Sequence, residues 1–272
     1  MPTISLNGKQ LYYHDSGQGF PLVFGHSFLW DATMWQPTIE ELSANYRCIA
    51  PDLWAHGFSD LPDNSPSTIE KLAEDMMSFL QALELQRFVL IGLSVGGMWG
   101  THLALNHPEC VAGLVLMDTY VGAESQLSRT YYSQMMADVE QAGRISPLLI
   151  EQLQMLFYSP ETIEKKPEFV ERWKQKLLSL NAEKLRAIFS IGEGIVNRNS
   201  LLNQLNLITC PTLLLVGEND QARPPHESME MASLLQNAQL EIIPHAGHIS
   251  NLEQPEIVNK ILKQFLQRFA DE

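Results

Sequence analysis

A serine flanked by glycines carries the clearest chemical signal in the chain. Residues 92–96 read Gly-Leu-Ser-Val-Gly, with Ser94 at the centre. An apolar run at 88–91 predicts a buried strand before it, and a helix is predicted from Val95 to Asn106 after it. A serine at such a sharp turn needs neighbours with almost no side chain. Because the helix start directs N–H groups and a positive dipole end at the hydroxyl, the pattern indicates a nucleophilic serine.

A serine hydroxyl needs an adjacent base, usually a histidine, which is itself oriented by a carboxylate. In sheets of this kind the chain order is serine, acid, histidine. His245 and His248 lie in a loop after a strand predicted at 240–243, at the sheet edge where Ser94 also emerges. We favour His248 because Gly247 frees the backbone to turn it inward, and His245 is the alternative. Three other downstream histidines are interpreted as helix or helix-end residues: His102, His107 and His226.

The carboxylate partner is expected in the loop after a strand predicted at 212–216. This loop reads Gly-Glu-Asn-Asp and ends at the same sheet edge. We favour Asp220 as the acid, and Glu218 is the alternative.

An oxyanion hole requires N–H donors aimed at the oxygen on which negative charge develops. One donor is predicted to be the backbone N–H of Val95, the residue after the nucleophile. The other is assigned to the N–H of Phe28, in the loop after the third predicted strand. We expect His26 to fix this loop by hydrogen bonding rather than to act as a base.

Strands alternate with helices over most of the chain, which predicts an α/β fold with a mostly parallel central sheet flanked by helices. The Asn7-Gly8 dipeptide predicts a hairpin between the first two strands. From residue 120 to about 205 only helix-like segments occur. We therefore predict a core at 1–120 and 206–272, and an inserted helical cap (lid) at 121–205 over the strand ends where ligands bind.

The predicted cap carries a run of aromatic and thioether side chains. Two interpretations stay open at this point: the run forms the core of the cap, or part of it roofs an apolar pocket. The residues are Tyr131, Tyr132, Met135, Met136, Met155, Phe157 and Tyr158.

Composition restricts the partners and the compartment. A net charge of −14 speaks against nucleic acid, whose phosphates demand a basic surface, and weakly against anionic membranes. No apolar run is long enough to span a membrane, and residues 1–4 do not look like a signal segment. The three cysteines, at positions 48, 110 and 210, show neither a disulfide nor a zinc-binding pattern. We expect a cytoplasmic protein without a metal.

With these motifs in view, the chain resembles the α/β-hydrolase superfamily over nearly its whole length. The matching segments are 25–28 with Trp35, 51–52 with 56–59, the turn around Ser94, 217–220 and 246–248. The resemblance implies Ser94 as nucleophile, Asp220 as acid, His248 as base, and neither a metal nor an organic cofactor. It also implies that Asp52 braces the active-site loops.

A finer resemblance links segments 92–98 and 106–109 to the 3-oxoadipate enol-lactonase branch and the neighbouring carboxylesterases. It implies a small-molecule ester or lactone as substrate and leaves a homodimer open. A lactonase of this branch would need a cation for the free carboxylate of its substrate, and four cap residues could supply it: Arg129, Arg144, Arg172 and Arg186.

Three functions are compatible with these residues. The leading hypothesis is a cofactor-free serine hydrolase that cleaves a small ester or lactone through an acyl-enzyme. The second is a perhydrolase, the activity behind non-haem haloperoxidases, in which hydrogen peroxide replaces water as acyl acceptor. The third, a non-catalytic ligand-binding protein, is disfavoured by the intact set of Ser94, Asp220 and His248.

Overall fold

A computed structural model describes residues 2–62 and 67–270. Its centre is an eight-stranded sheet with the spatial order β1-β2-β4-β3-β5-β6-β7-β8. The first two strands pair antiparallel with each other, and β2 pairs antiparallel with β4, whereas all other neighbours are parallel. The strands are β1 Thr3–Leu6, β2 Lys9–Ser16, β3 Pro21–Gly25, β4 Arg47–Pro51, β5 Phe88–Leu93, β6 Val111–Met117, β7 Thr212–Gly217 and β8 Ala238–Ile243.

The hairpin between β1 and β2 turns at Asn7 and Gly8, as predicted. Both residues have positive φ, 52° and 83°, which asparagine and glycine tolerate better than other residues. The turn sets the register that pairs Leu6 with Lys9 and Thr3 with Tyr12.

Eleven α-helices are present in the described part of the chain. They are α1 Gln36–Leu42, α2 Ile69–Ala82, α3 Val95–Asn106, α4 Gln126–Ala142, α5 Pro147–Phe157, α6 Pro160–Lys165, α7 Pro167–Leu178, α8 Ala182–Val196, α9 Pro225–Leu234, α10 Ser250–Glu253 and α11 Pro255–Leu266. The short α10 was not predicted, since a longer helix was expected to begin only at residue 254. Short 3₁₀ turns occupy Ala32–Trp35, Leu202–Leu207 and Gln267–Phe269. No described helix has the length and apolar character needed to cross a membrane.

The middle of the sheet is covered on both faces, because every residue of β5, β6 and β7 is buried. Successive residues of β5 alternate between two apolar clusters, as the two-residue period of a strand requires. Val89 and Ile91 pack with α11 on one side, whereas Phe88 and Leu90 pack with α2 and α3 on the other. Parallel strands covered in this way bring the ends of β3, β5, β6, β7 and β8 to one edge.

Five consecutive helices, α4–α8, separate β6 from β7, and we call them the cap helices. Four of them begin at a polar side chain that accepts an N–H of the first turn, which satisfies a donor that would otherwise lack a partner. These N-caps are Ser125, Ser146, Ser159 and Asn181. Apolar residues of the cap helices share one cluster with residues of the core. The division into a core and a cap domain at 121 and 205 stays a prediction.

Candidate active site

Ser94 lies at the turn between β5 and α3 in strained backbone geometry. Its φ of 56° and ψ of −119° are rare for a residue with a side chain. The turn is held from both sides, since the Ser94 N–H donates to the Met117 carbonyl (2.9 Å) and the Ser94 carbonyl accepts from Thr119 Oγ1 (2.6 Å). The side chain lies in a largely buried site, and the residue is 8% exposed. This is the geometry expected of an activated serine at the start of a helix.

The glycines around Ser94 permit a close approach of backbone segments. A Cβ atom on Gly92 would lie 2.4 Å from the carbonyl carbon of Gly96. A Cβ atom on Gly96 would lie 2.1 Å from the Gly25 oxygen at the end of β3. The G-x-S-x-G pattern therefore reflects packing of α3 against β3 and β5 as much as turn geometry.

His248 and Asp220 form a buried pair at the same edge of the sheet. The distance from His248 Nδ1 to Asp220 Oδ2 is 2.9 Å, and both residues are 1% exposed. The other oxygen of Asp220 accepts the N–H groups of Ala222 (2.8 Å) and Arg223 (2.9 Å), which fixes the carboxylate. With Nδ1–H donating to Asp220, Nε2 is the ring nitrogen that can accept a proton.

The alternatives for acid and base lie away from this pair. Glu218 is exposed, and its Oε2 accepts the N–H of His245 at 3.1 Å. The His245 side chain is 66% exposed and its Nδ1 lies 3.0 Å from Glu161 of α6. Geometry thus favours Asp220 and His248, although the catalytic roles themselves stay predictions.

Gly247, which was predicted to free the backbone so that His248 turns inward, permits close packing rather than a left-handed turn. Gly247 does not have positive φ, whereas His245 does, at 59°. The loop turns at His245, and Gly247 serves instead for close contact: a Cβ there would lie 2.6 Å from the Ser159 nitrogen.

An apolar cavity of about 90 Å³ contains both Ser94 and His248 in its wall. Cap residues form much of the remaining wall, so part of the aromatic and thioether run does roof a pocket. Tyr131 and Met155 are instead exposed, and Tyr158 is buried against Trp30 and Trp173. The other lining residues are Phe28, Met98, Tyr132, Met135, Met136, Leu153, Leu156, Phe157, Gly192, Ile195, Val196, Ala222 and Arg223.

The two predicted oxyanion donors belong to residues close to Ser94. Phe28 lines the same cavity as Ser94, and Val95 is the first residue of α3. Within the described residues, the structure gives neither backbone N–H a hydrogen-bond acceptor. Both donors are therefore free to bind an oxygen of a ligand.

His26 and Asp52 hold the loops around the cavity. His26 Nε2 accepts the Leu53 N–H at 2.8 Å, and burial lowers the pKa of His26 to about 4, so the ring is neutral. Asp52 accepts the N–H groups of Ala32 (2.7 Å) and Phe58 (2.9 Å), which joins two loops. Burial raises the pKa of Asp52 to about 6. These contacts support a bracing role for both residues.

Asp118, which was not predicted as a site residue, joins the loops of the proposed acid and base. It follows β6 and is fully buried, with a φ of 46°. One carboxylate oxygen accepts the Gly217 N–H (2.8 Å) and the other accepts the hydroxyl of Ser250. Burial, and then the charge of Asp220, raise the pKa of Asp118 well above its ordinary value. The available signal was a carboxylate directly after the wholly apolar β6.

Arg223 places a charged side chain in the cavity wall. It belongs to a buried cluster with Glu124, Arg198 and Glu227, in which Glu124 pairs with both arginines. The four arginines named as possible sources of a cation are not among the lining residues: Arg129, Arg144, Arg172 and Arg186. Arg223 was missed because it lies in the loop that follows Asp220 rather than in the cap.

Comparison with known proteins agrees with this fold. Residues 21–255 match the model of the alpha/beta hydrolase fold family, so the chain belongs to that family. Over 269 residues it is 26% identical to 3-oxoadipate enol-lactonase 2 of Acinetobacter baylyi, covering 98% of this chain and 97% of that protein.

Two solved structures are similar over almost their full length. A thermophilic esterase from Thermogutta terrifontis superposes with a TM-score of 0.88 at 31% identity, covering 98% of this chain and 97% of the other. The enol-lactonase from Burkholderia xenovorans superposes with a TM-score of 0.87 at 25% identity, covering 98% of this chain and 100% of the other. The chain is thus a hydrolase-family member with relatives named as esterases and lactonases.

Proposed function

We propose that this protein is a serine hydrolase that cleaves small carboxylic esters through an acyl-enzyme intermediate. The observation that carries the proposal is the pairing of His248 with the buried Asp220 beside a cavity that also contains Ser94 at its strained turn. The esterase and enol-lactonase names of its relatives support the same reaction type.

The reaction follows from the positions of these groups. His248 Nε2 takes the proton of the Ser94 hydroxyl while Ser94 Oγ attacks the ester carbonyl carbon. The carbonyl oxygen becomes an oxyanion, which the N–H groups of Val95 and Phe28 stabilise. When the C–O bond to the alcohol breaks, His248 returns the proton to the departing alkoxide. Water then repeats the sequence on the acyl-enzyme and releases the acid.

The cavity size indicates the substrate range. A volume of about 90 Å³ is small beside the roughly 300–1,000 Å³ of common ligand pockets. Because the wall is mainly aliphatic, aromatic and thioether, it suits a short acyl group without charge. We therefore expect acetate and propionate esters to be better substrates than long-chain esters.

A second candidate, an enol-lactonase-type activity, is favoured by Arg223. This guanidinium is the cation that a lactone with a free carboxylate would require, and it lines the cavity with Ser94. Its pairing with Glu124 and Glu227 reduces the positive charge available to such a substrate. For this reason we rank the uncharged ester first.

The test is hydrolysis of p-nitrophenyl esters from acetate to decanoate by the wild type, Ser94→Ala and Ser78→Ala. Ser78 is an exposed serine of α2 and serves as the matched control. Turnover that is lost only in Ser94→Ala supports the serine mechanism. If the wild type cleaves none of these esters but opens an enol-lactone, the second candidate replaces the first.

A further inference from the structure

The loop that carries His248 is bonded directly to the cap helices. The His248 N–H donates to the Phe157 carbonyl at 2.9 Å, and the two rings have centroids 5.4 Å apart. Phe157 is the last residue of α5, so the backbone at the end of a cap helix is the partner of the proposed base.

Glu253 strengthens this contact from the side of the core. It lies at the end of α10, is 1% exposed, and uses both carboxylate oxygens on backbone donors. Oε1 accepts the Gly247 N–H and Oε2 accepts the Ser159 N–H, each at 2.9 Å. One carboxylate therefore joins the residue before His248 to the second residue after Phe157.

The segment around Gly247 and the segment 157–159 lie as close together as their atoms allow. A Cβ on Gly247 would be 2.6 Å from the Ser159 nitrogen, 2.7 Å from the Tyr158 carbonyl carbon and 3.0 Å from Glu253 Oε1. Such a tight contact transmits displacement, because densely packed atoms cannot move independently. Any shift of the 157–159 segment would move the backbone of His248.

A buried carboxylate is costly unless its oxygens are satisfied, and burial raises the pKa of Glu253 despite the hydrogen bonds from Thr162, Ser159 and Gly247. A glutamine would present one oxygen and one NH₂ group to the two backbone N–H groups, whereas the carboxylate presents a separate acceptor oxygen to each of them. The presence of a carboxylate at this point is thus explained by the bridge that it forms.

We propose that Glu253 is a positioning residue that holds the backbone of the His248 loop against residues 157–159 and so keeps His248 Nε2 in reach of Ser94. Asp220 orients the ring through Nδ1, whereas Glu253 fixes the backbone from which the ring extends. The inference rests on the proposed function, since it assumes that His248 is the base.

The test compares Glu253→Gln with Glu256→Gln, an exposed glutamate on α11 that serves as the control. Glutamine accepts one of the two N–H groups and turns its own NH₂ towards the other, so the bridge opens. We expect kcat on a short p-nitrophenyl ester to fall about ten- to hundred-fold, as for a misplaced catalytic group, with KM within about twofold. Glu253→Asp, which keeps the charge but reaches only one donor, should lie between Glu253→Gln and the wild type.

A second readout does not depend on turnover. The proton NMR signal of His248 Nδ1–H, identified by its loss in His248→Asn, should shift or broaden in Glu253→Gln and stay unchanged in Glu256→Gln. If the wild type hydrolyses no ester, this signal still tests the bridge while the proposed function fails. An unchanged signal, or a kcat within about twofold of the wild type whatever the melting temperature does, overturns the proposal.

Discussion

The carboxylate of Asp118 accepts a hydrogen bond from the hydroxyl of Ser250, 132 residues further along the chain. Ser250 lies two residues beyond His248, and the other oxygen of Asp118 holds Gly217 at the start of the Asp220 loop. The end of β6 thus fixes the relative position of the loops that carry the proposed base and acid.

Asp118→Asn should make the protein more stable, and increasingly so as the pH rises. Burial and the charge of Asp220 raise the folded pKa of Asp118 above its unfolded value. The contribution of Asp118 to the free energy of unfolding is therefore fully present below about pH 4, and it is lost as the pH rises through the folded pKa. Asparagine cannot ionise, yet it can accept from Gly217 and donate to Ser250. Urea unfolding at pH 5 and pH 7 should show the variant's advantage growing by up to about 1.4 kcal/mol per pH unit. An advantage that does not grow would contradict the assignment.

Asp220→Asn should lower kcat by about 10⁴-fold while the protein stays folded. An asparagine can present its NH₂ to His248 Nδ1, which stabilises the tautomer that cannot take the serine proton. Glu218→Gln is the matched control in the same loop, because Glu218 is exposed and bonds to the His245 backbone. The measurement is kcat of both variants on p-nitrophenyl acetate. A loss of activity in Glu218→Gln but not in Asp220→Asn would make Glu218 the acid.

His248→Asn should abolish ester hydrolysis, whereas His245→Asn should leave it near the wild-type rate. Asparagine tolerates the positive φ found at position 245, so this control avoids the strain that alanine would introduce. The His245 side chain faces Glu161 and solvent, not the cavity. Loss of activity in His245→Asn alone would show that the wrong histidine has been chosen.

Leu156→Ala should shift the substrate preference towards longer acyl chains. Leu156 lines the cavity, and truncation to alanine enlarges a small apolar space that the surrounding residues only partly refill. Its neighbour Met155 is 63% exposed, so Met155→Ala should leave the preference unchanged. The measurement is kcat/KM across acetate, butyrate and hexanoate esters. If both variants keep the wild-type order, this wall does not contact the acyl group.

Much of the fold was predictable because its signals are local. The predicted helix at 95–106 matches the bounds of α3, since the apolar strand and the glycine-flanked turn before it are visible without tertiary information. The hairpin at Asn7-Gly8 and the alternation of strands with helices were confirmed for the same reason. By contrast, α10 has only four residues and no clear periodicity.

Those candidate site residues that belong to sequence motifs could be predicted. Ser94, Asp220 and His248 each follow a strand, and strands in a parallel sheet share one carboxyl-end edge, so their proximity follows from order alone. The contacts of Asp118 and the proposed role of Glu253 depend on pairing between segments about a hundred residues apart, which no local pattern encodes. Arg223 is another such case, since it lies three residues after Asp220 in the chain while its partner Glu124 precedes α4.

The hydrogen bond from His248 to the Phe157 carbonyl limits how far the cap helices can be exchanged among related proteins. A chimera that replaced residues 121–205 would also replace the backbone acceptor of His248 and the Ser159 donor of Glu253. Grafts of this kind would retain Ser94 and Asp220, and they keep the His248 loop fixed only if the new backbone presents a C=O and an N–H group at the same points. A transplant that ends before residue 157 keeps the native residues 157–159 and so preserves both contacts. Recombination breakpoints should therefore leave 157–159 intact.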